Sequence, residues 1–437
     1  MSINSEYLEE IKLNATYYSK EFKDITKKIS KSTAIYNGVP VDTLFMPKFF
    51  SKKQIETFEN LTHTMMKIIN KVTKQYINNE HYRGLFPFSE SLEEMILADH
   101  GYSNLVPIAR IDFFYNESNG NFKFCEFNTD GTSAMNEDRE LVRVFSDSNI
   151  FKKITKKYNL YSFELIDSWI DELIKIYKNS KFNKENPTIA IIDFLDKATI
   201  DEFKVFKEYL EKRGYKTLIV DIRDIKFDGE VLSHDGHIID LVYRRAVTTE
   251  ISSSYSDISQ FINACNSGKV CIVGPIKTQI AHNKMIFKIL HDEKTLSFLN
   301  NEEKLFIEEH IPYTEILTRK IIKEKDIINN KDKWIIKPID LYGSKGVYAG
   351  LDLDKNNWGK IIDECAGNDY LLQEYCDPYM SEFPVFYGDE FRVEKFRNIT
   401  GVYMYQGKMK GILSRAGQKA VVSGLNKGVT LPTFLYK

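Results

Sequence analysis

Cysteine is scarce and scattered in this chain. Its five residues (Cys125, Cys265, Cys271, Cys365 and Cys376) form no Cys-x-x-Cys pair and have no histidine at zinc spacing. This excludes a disulfide framework and a zinc module, and reads as reduced, mostly buried thiols of a cytoplasmic protein. A surplus of one charge is missing too. Sixty basic residues stand against 62 acidic ones, a net charge of −2, with no long single-sign run. A dedicated nucleic-acid binder is therefore not expected, and local basic groups are left to serve small anions. No stretch approaches the roughly eighteen consecutive apolar residues of a membrane span, and Met1-Ser-Ile-Asn-Ser-Glu6 has neither a basic start nor an apolar core, so neither insertion nor secretion is expected. The chain lacks GxGxxG, GxxxxGK[ST], internal repeats and low-complexity segments. None of its eight histidines has an identifiable acid or nucleophile partner.

What the chain has is ordinary globular material: 437 residues, 43% hydrophobic and 13% aromatic. That length suggests about three domains. From Asn4 to about Asn79, apolar residues recur at helical spacing, as in Ile55, Phe58, Leu61, Met65, Met66, Ile69 and Val72, predicting a helical layer. Further helices are expected up to Val144 and over Phe163 to Tyr177, and a boundary at Asn183-Lys-Glu-Asn-Pro187. Beyond it, strands over 188–193, 216–221, 238–243 and 270–273 alternate with a helix over 202–213, which predicts a parallel α/β unit ending near Pro275. His282 to Leu290 reads as helix. The remainder reads as a second, mainly antiparallel α+β region with a hairpin turning near Gln406-Gly407.

Two constellations carry chemistry. The first is Arg110-Ile-Asp112 and Glu126-Phe-Asn128, two strand-like segments around Ser118-Asn119-Gly120, which reads as a three-residue hairpin loop with glycine at its left-handed position. Pairing across that loop sets Asp112 opposite Glu126 and Arg110 opposite Asn128, all on one face. Opposed carboxylates destabilise a sheet unless a cation lies between them, and Asp, Glu and an Asn carbonyl are oxygen ligands suited to magnesium. A solvated, charged edge is the competing reading.

The second is Trp334-Ile-Ile-Lys337-Pro followed by Tyr342-Gly343-Ser344-Lys345-Gly346, a strand-end lysine and a glycine loop able to cradle phosphate; a plain hairpin turn competes. Gln373-Glu374-Tyr375 ends a hydrophobic strand and suits an adenine-binding hinge, and Lys284 sits at a helix start where it could reach phosphate. Thr132, Ser133, Asn136, Glu137 and Asp138 lie just beyond the hairpin and could face a substrate, although a helix cap at Ser133 and first-turn acids explain them equally well. Arg244 and Arg245 end a parallel strand, where ligands gather; a surface ion pair competes.

The order of these elements resembles glutathionylspermidine synthase and its circularly permuted ATP-grasp relatives, in which Arg-x-Asp and Glu-x-Asn precede the lysines, the glycine loop and the hinge. The resemblance covers roughly 107–138 and 270–415. It implies a permuted ATP-grasp fold, α/β and α+β, divided into a helical N-terminal region (1–104), the metal-binding hairpin with its helices (105–185), a pre-ATP-grasp parallel α/β domain (186–275) and a nucleotide-binding region (276–437). It implies ATP and two magnesium ions, the metals on Asp112, Glu126 and Asn128. Lys284, Lys337, Gly343 and Ser344 would hold phosphates, Gln373, Glu374 and Tyr375 would line the adenine pocket, and Arg110 and Arg415 would act on the transferred phosphoryl group, Arg415 in the place of a mobile-loop arginine. Tentative substrate residues are Thr132, Ser133, Glu137, Arg244 and Arg245. The implied activity joins a small-molecule or peptide carboxylate to an amine through an acyl phosphate, releasing ADP and phosphate. A thiol or carrier-protein acceptor, a small-molecule kinase and a non-catalytic nucleotide binder stay open, as does a homo-oligomeric state. The chain departs from its model in having no cysteine before Cys125, so no amidase domain is expected, and in carrying glycine at position 131.

Overall fold

The computed structural model describes residues 2–36, 38–388 and 390–437. Among them, no helix is long and apolar enough to cross a membrane. The helical layer begins with Ile3–Leu13 and Ala15–Ile29 and culminates in Lys52–Asn78. Ser51 starts the last of these by a capping box: its hydroxyl accepts from Gln54 N–H at 3.3 Å, while Gln54 Oε1 accepts from Ser51 N–H at 2.8 Å. Phe58, Met65, Met66, Ile69 and Val72 form its buried stripe. The layer is not wholly helical. The strand Lys48–Ser51 interrupts it, pairing in parallel with the late strand Thr433–Tyr436.

The stripe packs on a sheet ordered Val429–Leu431, Lys408–Gly417, Glu390–Tyr405, Ile108–Tyr115 and Phe122–Asn128, with Met380–Tyr387 added along Glu390–Tyr405. Strand period puts Ala109, Ile111 and Phe113 against the helix, where Phe58 meets the Phe113 ring at 5.2 Å. Arg110 and Asp112 therefore face the other way. The turn at Gln406-Gly407 has both residues at positive φ, 46° and 75°, the pair of values that a two-residue hairpin turn of matching twist requires.

The front hairpin keeps the expected pairing at its functional end, Arg110 with Asn128 and Asp112 with Glu126, then shifts by one residue. Cys125 is the extra residue of a bulge, so Phe124 pairs with Phe113 and the connection has four residues, 117–120, with Gly120 at φ 79°. The bulge has a clear effect. Strict alternation would put Phe124 on the face of Glu126, whereas the extra residue turns Phe122, Phe124 and Phe127 all into the core.

The α/β unit is a fully parallel sheet ordered Cys271–Val273, Leu241–Arg244, Ile189–Asp193 and Thr217–Asp221. The expected strand over 238–243 is divided at Asp240, whose carboxylate accepts from Thr188 N–H at 2.9 Å; His237–Ile239 belongs to a separate meander. A second antiparallel sheet, Thr314–Ile316, Tyr370–Glu374, Trp334–Pro338 and Tyr348–Ala349, is backed by the helix Lys355–Cys365 and its buried Trp358. The helix expected over 282–290 is broken into Gln279–His282 and Ile286–Ile289, because Lys284 N–H leaves the helical pattern to donate to Ile339 O at 3.0 Å.

One buried ion pair joins these parts. Arg244 donates to Asp130, both side chains being fully buried, and also to the carbonyls of Gly274, Ala246 and Pro275. Asp130 further accepts from Thr248 N–H at 2.6 Å and Thr278 Oγ1 at 3.1 Å. Gly131 and Gly274, at φ 59° and 84°, let the backbones close around it: a Cβ on either would lie 2.7 or 2.8 Å from the Arg245 or Arg244 carbonyl oxygen. Gly131 thus answers to packing.

Asp130→Ala, which strands the Arg244 charge, is expected to lower unfolding free energy by about 3–5 kcal/mol, read from urea midpoints. A second outcome concerns Asp138, which accepts from Thr433 N–H at 3.1 Å while its other carboxyl oxygen is buried without a partner. Burial pushes its carboxyl up to about 8, beyond what the Thr433 contacts recover. The folded form thus retains a proton that the unfolded form has lost above about pH 4, so this group's contribution is full below that pH and falls as pH rises towards 8. Asp138→Asn, which stays neutral, should flatten that fall; an unchanged pH–stability profile would contradict the assignment.

Candidate active site

The pairing register places the site. On the sheet face away from the long helix, Gly401 lies between Asp112 and Leu413, Tyr403 lies beside Arg110, and Ile399 lies beside Arg415, with Glu126 and Asn128 completing the rows. Directly paired residues share a face, so Arg415, Asp112, Glu126, Arg110 and Asn128 emerge together from three strands, with the strand of Gly401 between Arg415 and the rest. Gly401 is the gap that permits this. A Cβ there would lie 2.5 Å from Asp112 Oδ1 and 2.9 Å from Arg110 Cδ. Its backbone is extended, so the requirement is space and not conformation.

Arg110 forms a two-pronged pair with Asp112, at 2.8 and 3.0 Å, and donates to Ser133 O at 3.2 Å. Asn128 Nδ2 donates to Asp112 Oδ2 at 3.0 Å. Burial raises the Asp112 carboxyl and Glu126 adds to this, although Arg110 opposes it. Burial would raise Glu126 too, but Lys284, His282, Lys337 and Arg110 outweigh it and hold that carboxyl down at about 2. Among the described residues no three His, Cys, Asp or Glu side chains cluster to hold a metal. Two opposed acids and an amide are too few to cage magnesium, but they fit an ion that takes its other oxygens from phosphate and water.

Across the cleft, Lys284 Nζ stands 3.4 Å from Glu126 Oε1 and donates to Leu341 O. Lys337 donates to Gln373 Oε1 at 2.7 Å and to the Cys125 carbonyl at 3.3 Å, and burial lowers its pKa. Gln373 is in turn fixed by Thr314 Oγ1 at 2.8 Å, so its side chain positions Lys337. The N–H groups of Glu374 and Tyr375 donate to Tyr313 O and Lys333 O at 2.9 and 2.8 Å, which leaves neither N–H open to a base. Gly343 and Ser344, at φ 64° and 62°, curl the glycine loop over the cleft. Tyr342 anchors that loop by donating to Glu250 at 2.5 Å.

Arg415 lies within a strand paired on both sides, not on a loop, and lines the same cleft. Glu137 accepts from Thr430 Oγ1 at 2.9 Å, and its pKa is raised by burial against the pull of Arg415. Thr132 donates to Asn128 O at 2.7 Å. Ser133 is not a helix cap: Ala134 holds that position, at φ 75°, and the Ser133 carbonyl instead accepts from Arg110 and Tyr403. Arg244 is absent from the cleft, turned into the lock with Asp130. Arg245 lines the cleft, with Nη2 2.8 Å from Glu202 Oε1 and its guanidinium 4.9 Å from the Phe203 ring centre.

Several residues of the site escaped the sequence reading: Asp193, Glu250, Tyr36 and His282, which line the cleft, and Gly401, against which Asp112 and Arg110 lie. Asp193 ends a parallel strand, a position that could have singled it out. Gly401 offered no local signal, since only its register with Asp112 makes it matter.

The sequence matches the family described as glutathionylspermidine synthase preATP-grasp over residues 42–429. A solved glutathione synthetase-like effector from Globodera pallida, in its apo form, superposes at TM-score 0.63 and 11% identity, covering 96% of this chain and 97% of that chain. D-alanyl-alanine synthetase A from Vibrio cholerae O1 biovar eltor gives a TM-score of 0.30 at 12% identity, over 49% of this chain and 68% of that chain. No curated protein matches the sequence. Likeness at 11% identity shows the fold alone. The family match spans most of the chain, from the helical layer to the late strands, and the chain therefore belongs to the glutathionylspermidine synthase preATP-grasp family, whose general activity is that of an ATP-grasp ligase.

Proposed function

We propose that this protein is an ATP-dependent carboxylate–amine ligase working through an acyl phosphate. The observation that carries the reading is one cleft with Lys284, Lys337 and the glycine loop on one side, the Asp112–Glu126 pair in the middle and Arg415 beyond. Phosphoryl transfer depends on cationic clamps and alignment more than on a base, and this arrangement provides both. Lys284 and Lys337 would hold phosphate oxygens, with Gln373 fixing the Lys337 ammonium. Magnesium, when bound through Asp112, Glu126 and Asn128, would offset phosphate charge.

A substrate carboxylate oxygen, oriented by Arg415, attacks the terminal phosphorus, and the bond to the bridging oxygen breaks to release ADP. The amine nitrogen then attacks the acyl carbon, the C–O bond to phosphate breaks, and phosphate leaves. Arg110 steadies the acyl phosphate. The amine proton needs an acceptor near neutral pH. Asp193 suits this, because burial pushes its carboxyl up to about 7 in spite of Arg245.

Incubation with ATP, magnesium and a competent acid–amine pair should release ADP and phosphate, and hydroxylamine in place of the amine should yield a hydroxamate. AMP with pyrophosphate would refute the mechanism, and a stable phosphate ester without hydroxamate would mean a kinase. Glu126→Gln should lose activity by about 10²-fold or more at unchanged thermal midpoint, in line with removal of a group that offsets transition-state charge. Gly401→Ala tests the gap: its Cβ displaces the Arg110–Asp112 pair, and kcat should fall by about 10²-fold, the scale of an ångström-level misplacement. Full activity in that variant would show that the pair need not stay where it is.

A further inference from the structure

We infer that Tyr36 is a phosphate-binding residue of this cleft, its hydroxyl donating to the terminal phosphoryl group of ATP. The inference rests on the reading of the cleft as an ATP site, and it adds a residue that the family match, starting at residue 42, does not reach.

The placement of Tyr36 is the first observation. The strand Ile35–Tyr36 pairs antiparallel with Val39–Pro40, Ile35 with Pro40 and Tyr36 with Val39. Each flank of this pair is tied to a part of the site. On one side Asn136 Nδ2 donates to the carbonyl and the hydroxyl of Thr33, at 2.7 and 3.0 Å. Asn136 lies in the first turn of the helix that follows Ser133, the residue whose carbonyl accepts from Arg110. On the other side Thr430 N–H donates to Asp42 O at 3.0 Å, and Thr430 pairs across the strands with Arg415. The two strands are therefore held at the Arg110 and Arg415 end of the cleft.

From there Tyr36 reaches the glycine loop. Its hydroxyl oxygen lies 3.4 Å from the point that a Cβ of Gly343 would occupy, and its ring lies 3.4 Å from the same point at Gly424. Tyr36, Gly343 and Gly424 all line the cleft. The side chain is half-buried, and its hydroxyl makes no hydrogen bond to another described residue. The terminal phosphoryl is the part of the nucleotide that would lie between the glycine loop and Arg415, and Tyr36 is bracketed by those same elements. Arg110 already has two prongs on Asp112, and Lys284 and Lys337 approach from the nucleotide side. A phenol O–H supplies a further donor to the spread charge of a transferring phosphoryl group without adding another charge to the cleft. Ring packing between two glycines is the competing role, and Tyr36→Phe separates the two because it keeps the ring and removes the hydroxyl.

The experiment measures calorimetric binding of the β,γ-imido analogue of ATP and of ADP, each with magnesium, to the full chain and to its Tyr36→Phe variant. The variant should bind the ATP analogue about 10- to 100-fold more weakly, the scale of one hydrogen bond to a charged group, with ADP binding and the thermal midpoint unchanged. Equal weakening of both nucleotides, or of neither, overturns the inference and leaves the ligase reading intact. If the unaltered protein binds neither nucleotide, both fall. Selective loss of the analogue in the variant, together with no hydroxamate from the unaltered protein, supports the contact and removes the ligase reading alone.

Discussion

The buried Asp130–Arg244 pair is the constraint on which the cleft depends. Asp130 follows the hairpin that carries Asp112 and Glu126, Arg244 ends a strand of the parallel sheet, and Thr278 leads towards Lys284. One carboxylate thus fixes the relative position of three segments that are far apart in sequence. Such a pair contributes little net stability over an apolar replacement, because both charges have left water. Its contribution is geometric: together with the Thr129 hydroxyl, which donates to Thr278 O at 2.8 Å, it holds Gly131 under the Arg245 carbonyl at one end of the cleft.

Within that frame the charges are graded along one sheet face. Glu126 is held ionised by the cations around it, while Asp112, directly opposite, is burdened by burial and depends on Arg110. Two acids that neighbours push in opposite directions can share a small space without equal repulsion. Arg415 stands two strands away, across the empty position at Gly401, and remains open. A side chain at 401 would collide with Asp112 and Arg110, which lie over that position.

Much of this was legible in the sequence. The Asp112–Glu126 pairing needed only a side-chain period of two and a turn, and the parallel unit needed only alternating strands and helices. The bulge at Cys125 was not legible, because it follows from the need of Phe124 and Phe127 to share a core face, a tertiary demand. Arg244 and Arg245 look equivalent on paper. Adjacent residues at a strand end point to opposite sides, and only the folded chain shows that Arg244 turns to Asp130 and Arg245 to the cleft. The helix break at Lys284 was hidden for a similar reason, since its backbone partner, Ile339, lies beyond an intervening strand and helices.

The central sheet has a consequence in time. The strand Ile108–Tyr115 has Thr400–Tyr405 as its neighbour, and Lys48–Ser51 pairs with Thr433–Tyr436, so the early strands must wait for late ones. During synthesis, the strand carrying Asp112 emerges after the helix Lys52–Asn78 that covers its apolar face, but long before the strand that pairs along its edge. The permuted order therefore makes the sheet face that carries Asp112 and Arg415 one of the last surfaces to assemble, with slow, non-local folding and a long-exposed strand edge as its kinetic signature.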